Sequence, residues 1–361
     1  MKITIVMSAL DSGGAERILT TLANAWSERG IKIHLLTYQE PTYKPFYSLH
    51  PGITLCNLNL LNNNKNLVVR LCDMFRRLSV LRQNFKKQKP ELIVAFIDIT
   101  NITTLIAAIG LQIPVIVSER TDPHHYNIGF FNALLRKITY PWAKHIVVQT
   151  SHSLSYFPIT LQNQISVIPN PVAIPPQNSY DKIDFSKKQI VAAGRLSKEK
   201  GFDLLLLAFA EIHAKFPEWK LVIWGEGAEG DSLKRLCVSL DLESHVSFPG
   251  VTQNIYAALA QGSIFVLPSR LEGFPNALCE AMAIGLAVVA FNCRSGPSDI
   301  VRDQIDGLLV PPENVAALGN AMEQLMGNIE LRQQLGNRAA EIVQRFPIER
   351  IMKEWDRIIS Q

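Results

Sequence analysis

The run Ser263-Ile264-Phe265-Val266-Leu267-Pro268 leads into Ser269-Arg270-Leu271-Glu272-Gly273-Phe274-Pro275, and that into Asn276-Ala277-Leu278-Cys279-Glu280-Ala281-Met282-Ala283. The first segment is a short, continuous apolar run and reads as a buried strand. Beyond Pro275 the pattern turns helical: Ala277, Leu278, Ala281, Met282 and Ile284 recur at helical spacing, and Pro275 suits a first helical position, where no N–H is needed. A fully apolar strand followed by a short loop and a helix is one unit of a parallel α/β sheet.

The same pattern extends in both directions. Strands are predicted over 2–8, 31–37, 53–58, 91–97, 114–118, 145–149 and 164–168, with helices over 14–29, 100–110 and 130–141 among them. After the Pro- and Asn-rich segment Asn170-Pro171-Val172-Ala173-Ile174-Pro175-Pro176-Gln177-Asn178-Ser179, strands return near 189–194, 219–224, 245–248, 263–267, 287–291 and 307–310. Phe346-Pro347 marks a break before a last helix at 348–360. The expectation is α/β with two Rossmann-like, doubly wound domains, residues 1–170 and 171–346, and a terminal segment 347–361.

Charged residues cluster at two strand ends. Glu272 falls in the loop ahead of its helix and Glu280 about five residues into it, ~7.5 Å deeper along the axis. Glutamates around a helix start also occur simply as complements to the helix dipole. Upstream, the apolar run Gln189–Gly194 leads into Arg195-Leu196-Ser197-Lys198-Glu199-Lys200-Gly201. That places Arg195 and Lys200 where a doubly wound sheet binds ligands. A guanidinium fork and a compact ammonium suit bridging phosphates, although basic residues beside a helix start are also commonly just solvated. Cations for a diphosphate and carboxylates for hydroxyls are together what a nucleotide sugar requires.

Three signatures carry a resemblance: Gly194-Arg195-Leu196…Lys200-Gly201, Glu272-Gly273-Phe274-Pro275…Glu280-Ala281-Met282-Ala283, and Ser12-Gly13-Gly14-Ala15-Glu16-Arg17. Their content and order resemble glycosyltransferase family four over nearly the whole chain. The resemblance implies the B-type fold: two Rossmann-like domains facing a central cleft, with the last helix crossing back to the first. It implies retaining transfer of a hexose or N-acetylhexosamine from a nucleotide sugar, expected to be UDP-linked, with the donor in the second domain. More narrowly, Phe96-Ile97-Asp98…Thr100-Asn101 and Val117-Ser118-Glu119-Arg120-Thr121-Asp122-Pro123 resemble bacterial enzymes that build O-antigen, exopolysaccharide or N-glycan precursors on a lipid diphosphate. On this resemblance Arg195, Lys200 and Glu272 are the expected catalytic residues. Gly13, Gly14, Gly194, Gly273, Phe274, Pro275 and Glu280 are expected at the donor. Asp98, Asn101, Glu119, Arg120 and His124 are candidates for the acceptor, with Asp98 or Asn101 equally suited to a helix cap. Many family members place a sugar-contacting His in the loop after Ser118; Arg120 stands near that position here, which leaves open whether His124, His125 or neither replaces it.

Composition sets the remaining bounds. Residues 1–170 carry 17 Lys and Arg against 9 Asp and Glu, and the rest 19 against 23, so a net charge of +4 hides halves of +8 and −4. Lys65, Arg70, Arg76, Arg77, Arg82, Lys86, Lys87 and Lys89 crowd one stretch in which Asp73 is the sole acid. Leu67, Leu71, Met74, Phe75, Leu78, Leu81 and Phe85 share one face of it. A basic amphipathic helix of this kind can bind anionic headgroups or a lipid diphosphate, with Arg70, Arg76, Arg77, Arg82, Lys86 and Lys87 as contacts, or it can be a core helix with a cationic outer face. Nucleic acid is not expected, since aromatic residues do not interleave with the basic ones. Met1–Met7 reads as strand one and no apolar run reaches ~18 residues. The expected location is cytoplasmic, peripheral on the inner face of the membrane. The five cysteines are expected to be buried, reduced thiols. With neither an Asp-x-Asp pair nor a Cys/His cluster in the sequence, no metal and no other cofactor is expected. Gly225-Glu226-Gly227-Ala228-Glu229-Gly230 matches G-x-G-x-x-G, but it lies in the second βα unit of its half and carries acids where a pyrophosphate would approach. The competing readings are a nucleotide-sugar epimerase or NAD-dependent oxidoreductase of similar layered fold, and a non-catalytic carbohydrate- or lipid-binding protein.

Overall fold

The computed structural model describes residues 1–61, 67–176 and 178–360, with the side chains of 67–71 left outside the description. Thirteen strands are present among the described residues. They are β1 (Lys2–Met7), β2 (Lys32–Thr37), β3 (Thr54–Asn57), β4 (Leu92–Phe96), β5 (Val115–Ser118), β6 (His145–Val148), β7 (Ile165–Val167), β8 (Gln189–Ala193), β9 (Lys220–Trp224), β10 (Val246–Gly250), β11 (Ile264–Leu267), β12 (Ala287–Phe291) and β13 (Leu308–Val310).

They form two sheets, ordered β3-β2-β1-β4-β5-β6-β7 and β10-β9-β8-β11-β12-β13. Every strand pair in them is parallel. In both sheets the order reverses beside the first strand, between β1 and β4 and between β8 and β11. Such a reversal opens a crevice at the carboxyl ends of the two strands, where doubly wound folds bind their ligands.

The chain divides into two compact units, Met1–Pro169 with Ile351–Gln361, and Asn170–Arg350. In the first, Leu81 and Phe85 of the helix Leu67–Gln88 are fully buried against Val6, Ile93, Ala95 and Ile146. The end of the helix Ile348–Ser360 joins this unit through Trp355, which meets Trp26 edge-on at 5.8 Å and stacks on Phe96 at 6.0 Å. Arg29 fixes the same helix by an ion pair to Asp356 at 2.6 Å. In the second unit the two faces of the sheet carry separate apolar clusters, one around Phe209, Trp219 and Met322, the other around Phe265, Leu278 and Met282. Strands covered on both faces have no solvated side, which is why their sequences show no alternation.

Two expectations need correction. The helix after Glu272 begins at Asn276, with Pro275 one residue ahead of it at ψ 86°. Of the five cysteines, Cys237, Cys279 and Cys293 are buried, but Cys72 is exposed and Cys56 half-buried.

Candidate active site

In the second unit the switch point is built by the loops after β8 and β11, which are hydrogen-bonded neighbours. Lys200 closes the one-turn 3₁₀ segment Lys198–Lys200, and Gly201 follows it in the left-handed region at φ 65°. A Cβ at Gly201 would overlap the Pro268 carbonyl oxygen, so only glycine lets the two loops approach. The backbone N–H of Arg270 donates to Glu199 O at 2.8 Å across the same seam. The Arg270 guanidinium then makes a two-pronged contact with Asp203, at 2.7 and 2.6 Å, and also reaches Glu313 at 3.0 Å. The Asp203 hydrogen bonds raise the affinity of Arg270 for its proton further above its ordinary value.

This clamp brings Lys200 Nζ to 2.6 Å from Glu272 Oε1, which also accepts from Ser269 Oγ at 2.6 Å. Glu272 is 6% exposed. Arg195 is exposed on the same loop, where Glu199 is held below its ordinary value chiefly by a hydrogen bond from Ser197, with Arg195 and Lys200 adding to it. Glu280 is half-buried in the helix Asn276–Ala283. Cys293, buried beyond β12, has its thiol pushed up to about 12 by burial and by the charge of Glu272, which makes it inert packing. Gly296, at φ 98°, backs directly on Pro275 and Gly273. Phe274 turns into the core and meets Phe346 edge-on at 5.8 Å, so at this position only the backbone faces the loop.

The glycine-rich turn after β9 has a packing explanation. A Cβ at Gly225 would overlap Gly194 O, and one at Gly227 would overlap the Leu196 backbone. Leu196 N donates to Glu226 O at 2.9 Å and Glu229 N to Leu196 O at 2.9 Å, so these glycines seat the Arg195 loop. The Glu229 N–H is spent on that seam.

In the first unit Gly13 caps the helix Gly14–Glu28, and the Glu16 carboxylate folds back over it, into the space a Cβ would need. Ile97, between β4 and the helix Asp98–Ala108, is held at φ 72°. A β-branched residue there is strained, and the hydrogen bonds Ile97 N to Ser118 O and Asn101 N to Ile97 O impose it. Asp98 is buried, accepts from Ile99 N at 2.6 Å, and has its carboxyl raised by burial. Asn101 is fully buried and donates to Ser118 O at 3.0 Å and Tyr140 Oη at 3.1 Å. Glu119 accepts from Tyr140 Oη and lies 3.9 Å from Arg136; burial outweighs that cation and pushes the carboxyl up to about 7. Arg120 is buried against the faces of Phe96, at 4.8 Å, and Trp355, at 5.8 Å, and burial lowers it to about 9. Among the acceptor candidates only His124 is exposed; its Nε2 lies 3.0 Å from Ser155 Oγ.

Of the basic-helix residues, Arg77 donates to Leu60 O at 3.1 Å and Arg82 to Ala107 O at 3.0 Å and Ile109 O at 2.6 Å. Both therefore brace the unit. Arg76, Lys86 and Lys87 are exposed, and the Arg70 side chain lies outside the described residues. The sequence missed a second surface: Phe130, Phe131, Leu134, Ile138 and Trp142 on and after the helix Phe130–Thr139 are 88, 57, 45, 48 and 50% exposed. Among the described residues no helix is long and apolar enough to cross a membrane.

The profile described as "Glycosyltransferase Family 4" matches residues 12–174, and that described as "Glycosyl transferases group 1" matches residues 179–342. The chain belongs to the family-four glycosyltransferases. It is 28% identical to a Campylobacter jejuni α-1,4-N-acetyl-D-galactosaminyltransferase named for a diphospho-undecaprenol-linked saccharide, over 100% of this chain and 99% of that protein. The amylovoran biosynthesis glycosyltransferase AmsD of Erwinia amylovora is 25% identical, over 99% of each chain. Among solved structures, sucrose-phosphate synthase from Thermosynechococcus elongatus superposes with a TM-score of 0.86 at 19% identity, covering 100% of this chain and 98% of that one. HepE of Anabaena, in complex with UDP and glucose, superposes with a TM-score of 0.81 at 20% identity, with 100% of both chains covered. The two-domain α/β fold of this glycosyltransferase is thus that of its family.

Proposed function

We propose that the chain is a retaining glycosyltransferase that moves a hexose or N-acetylhexosamine from a UDP-sugar to a lipid-diphosphate-linked saccharide, in surface polysaccharide or glycan biosynthesis. The observation that carries this reading is the meeting of Lys200 and Glu272 at the switch point of the second sheet, beside Arg195. The diphosphate lies against Arg195 and Lys200. An ammonium has three donors, so Lys200 can hold Glu272 with one and phosphate oxygens with the others. Glu272 Oε1 is taken by Lys200 and Ser269, and Oε2 receives a hydroxyl of the transferred sugar. Glu280 binds the ribose hydroxyls, and the backbone around Gly273 and Phe274 lines the rest of the donor. As the glycosidic bond breaks, negative charge grows on the departing phosphate, and fixed cations there stabilise the transition state more than the ground state. That phosphate takes the acceptor's proton, and no metal ion is needed at the diphosphate.

The name of the Campylobacter relative supports a polyprenyl-diphosphate acceptor, and the UDP complex of HepE supports the nucleotide. Asp98, Asn101, Glu119 and Arg120 act by holding the first unit's strand-end loops, and His124 is the side chain presented to the acceptor. Gly13 and Gly14 shape the loop after β1 for a further backbone contact. The protein reaches its lipid substrate as a peripheral membrane protein on the cytoplasmic face, with the apolar side chains at 130–142 entering the interface and Arg76, Lys86 and Lys87 meeting anionic headgroups.

The test is transfer from UDP-, GDP- and ADP-sugars to a synthetic lipid-diphosphate saccharide, with the product anomer read by NMR. A product with the donor's anomeric configuration, formed from a UDP-sugar alone, is expected; an inverted anomer or preference for another nucleotide overturns the corresponding part. For the membrane, Phe130→Ser with Leu134→Ser and Trp142→Ser should reduce partitioning to anionic vesicles, and unchanged partitioning overturns that part.

A further inference from the structure

Three metal-ligating side chains, two from the loop after β5 and one from the turn after β6, meet in the first unit at the carboxyl ends of these paired strands. Asp122 Oδ2 lies 2.7 Å from His125 Nδ1 and 3.7 Å from His152 Nε2, and the three donor atoms fall within 4.8 Å of one another. We propose that Asp122, His125 and His152 form a binding site for a divalent cation of the zinc class, held by two imidazoles and one carboxylate with its remaining coordination positions open.

The carboxylate is preset for this role. Asp122 is fully buried, and its Oδ1 accepts from the His124 backbone N–H at 3.0 Å, which leaves Oδ2 directed at the two rings. His152 Nε2 is itself buried and makes no hydrogen bond, with that carboxylate oxygen as its facing charge. A buried ring nitrogen left in that state calls for an explanation. Tetrahedral zinc, with bonds of about 2.0–2.1 Å, sets its ligand atoms about 3.3 Å apart. The gaps of 2.7 and 3.7 Å from Asp122 Oδ2 bracket that spacing.

The surroundings hold the ligands as a metal site requires. Thr150 caps the helical turn carrying His152 by accepting from Ser153 N at 3.1 Å. Arg136 donates to Tyr156 Oη at 2.5 Å and to Pro123 O at 3.4 Å, next to Asp122. The His124 ring packs against that of His152 at 4.7 Å. A carboxylate at the centre disfavours an anion. Two imidazoles with one carboxylate and no thiolate favour zinc, cobalt or nickel over magnesium or calcium. Three protein ligands with an open position are the pattern of zinc sites that keep a water or substrate oxygen. The expectation of no metal rested on the absence of an Asp-x-Asp pair and of a Cys/His cluster in the sequence, whereas strand order brings His152 to Asp122 and His125.

The full-length protein, stripped of metal by a chelator and dialysed, would be titrated with Co²⁺ while its visible d–d absorption is followed. One saturable equivalent per chain, displaced by Zn²⁺, is expected for the unaltered protein and for His124→Gln. Its loss is expected in His125→Gln and His152→Gln, provided their circular dichroism and metal-free melting match the unaltered protein. Absence of saturable binding, or binding that survives in either folded variant, overturns the proposal. Should the variants not fold, anomalous diffraction from a cobalt-soaked crystal of the unaltered protein decides it. A peak among the three side chains supports the site, and a peak elsewhere or none overturns it.

Discussion

The switch point of the second sheet and the strand-end loops of the first handle charge in opposite ways. After β8 and β11, the charged groups, partly solvated except for the buried Glu272, are matched by opposite charges at hydrogen-bonding distance: Lys200 with Glu272, Arg270 with Asp203 and Glu313. After β4 and β5, Asp98, Glu119 and Arg120 are buried, with burial the leading cause of each one's shift toward neutrality. A lobe whose charges are already paired and clamped can take up a charged ligand with little reorganisation. A lobe whose charges are desolvated is instead a store of unfavourable electrostatics, tolerated because hydrogen bonds through Asn101 and Tyr140 and the nearby charge of Arg136 hold it together.

The sharpest way to break this contrast is Lys200→Ala. If Lys200 stabilises the departing phosphate, turnover falls by ~10²–10³-fold, about 2.7–4 kcal/mol, and does so at temperatures where the variant is still fully folded, even though the buried Glu272 carboxylate loses its cation. A large loss of stability with modest loss of rate would make Lys200 structural and erase the difference between the lobes.

Next in size is the pH response of the first unit. Glu119 has its carboxyl raised from 4.5 to about 7 in the folded chain. The folded state therefore binds the proton more tightly, and the contribution of Glu119 is most favourable below pH 4.5 and declines as pH rises through about 7. Comparing unfolding free energies of the unaltered protein and Glu119→Gln cancels other titrations. The difference should move against the unaltered protein by roughly 3 kcal/mol between those limits. A flat difference would show that Arg136 neutralises Glu119 fully and that the first unit is as well paired as the second.

Much of this layout was legible in the sequence, for physical reasons. Strands buried on both faces and helices with one apolar stripe leave patterns that local spacing reveals, and the strand-end positions of Arg195, Lys200, Glu272 and Glu280 followed from them. Contacts between loops did not. Arg270 and Asp203 are 67 residues apart, and nothing local marks Arg270 as a clamp. His152 likewise stands near Asp122 only because β5 pairs with β6. Periodicity gives a helix an apolar face but not what covers it. The helix Leu67–Gln88 turns Leu81 and Phe85 inward, while Phe130, Leu134 and Ile138 stay outside. The glycines of the turn after β9 matched a dinucleotide motif because close backbone approach needs glycine whether the partner is a pyrophosphate or a neighbouring loop.

That last point gives a third prediction. Gly225 sits at φ 137°, and a Cβ there would overlap Gly194 O. Gly225→Ala should destabilise the protein by ~1–3 kcal/mol through backbone strain, read in urea unfolding. It should also raise KM for the donor as the Arg195 loop shifts. Unchanged KM at reduced stability would uncouple the turn from the site.

The smallest expected effect tests the clamp itself. Arg270 touches no proposed ligand position; it ties the loop that carries Glu272 to the turn that carries Lys200. Arg270→Lys keeps the charge but loses the planar fork. If positioning is its role, turnover should fall about tenfold, ~1.4 kcal/mol, with stability within ~1 kcal/mol of the unaltered protein because Lys keeps the charge of a partly exposed pair. Asp203→Asn should give a similar loss, and the double substitution should cost no more than either alone, since both remove one interaction. Additive losses would mean that the two residues act separately, and the prepaired character of the second lobe would then rest on the Lys200–Glu272 contact alone.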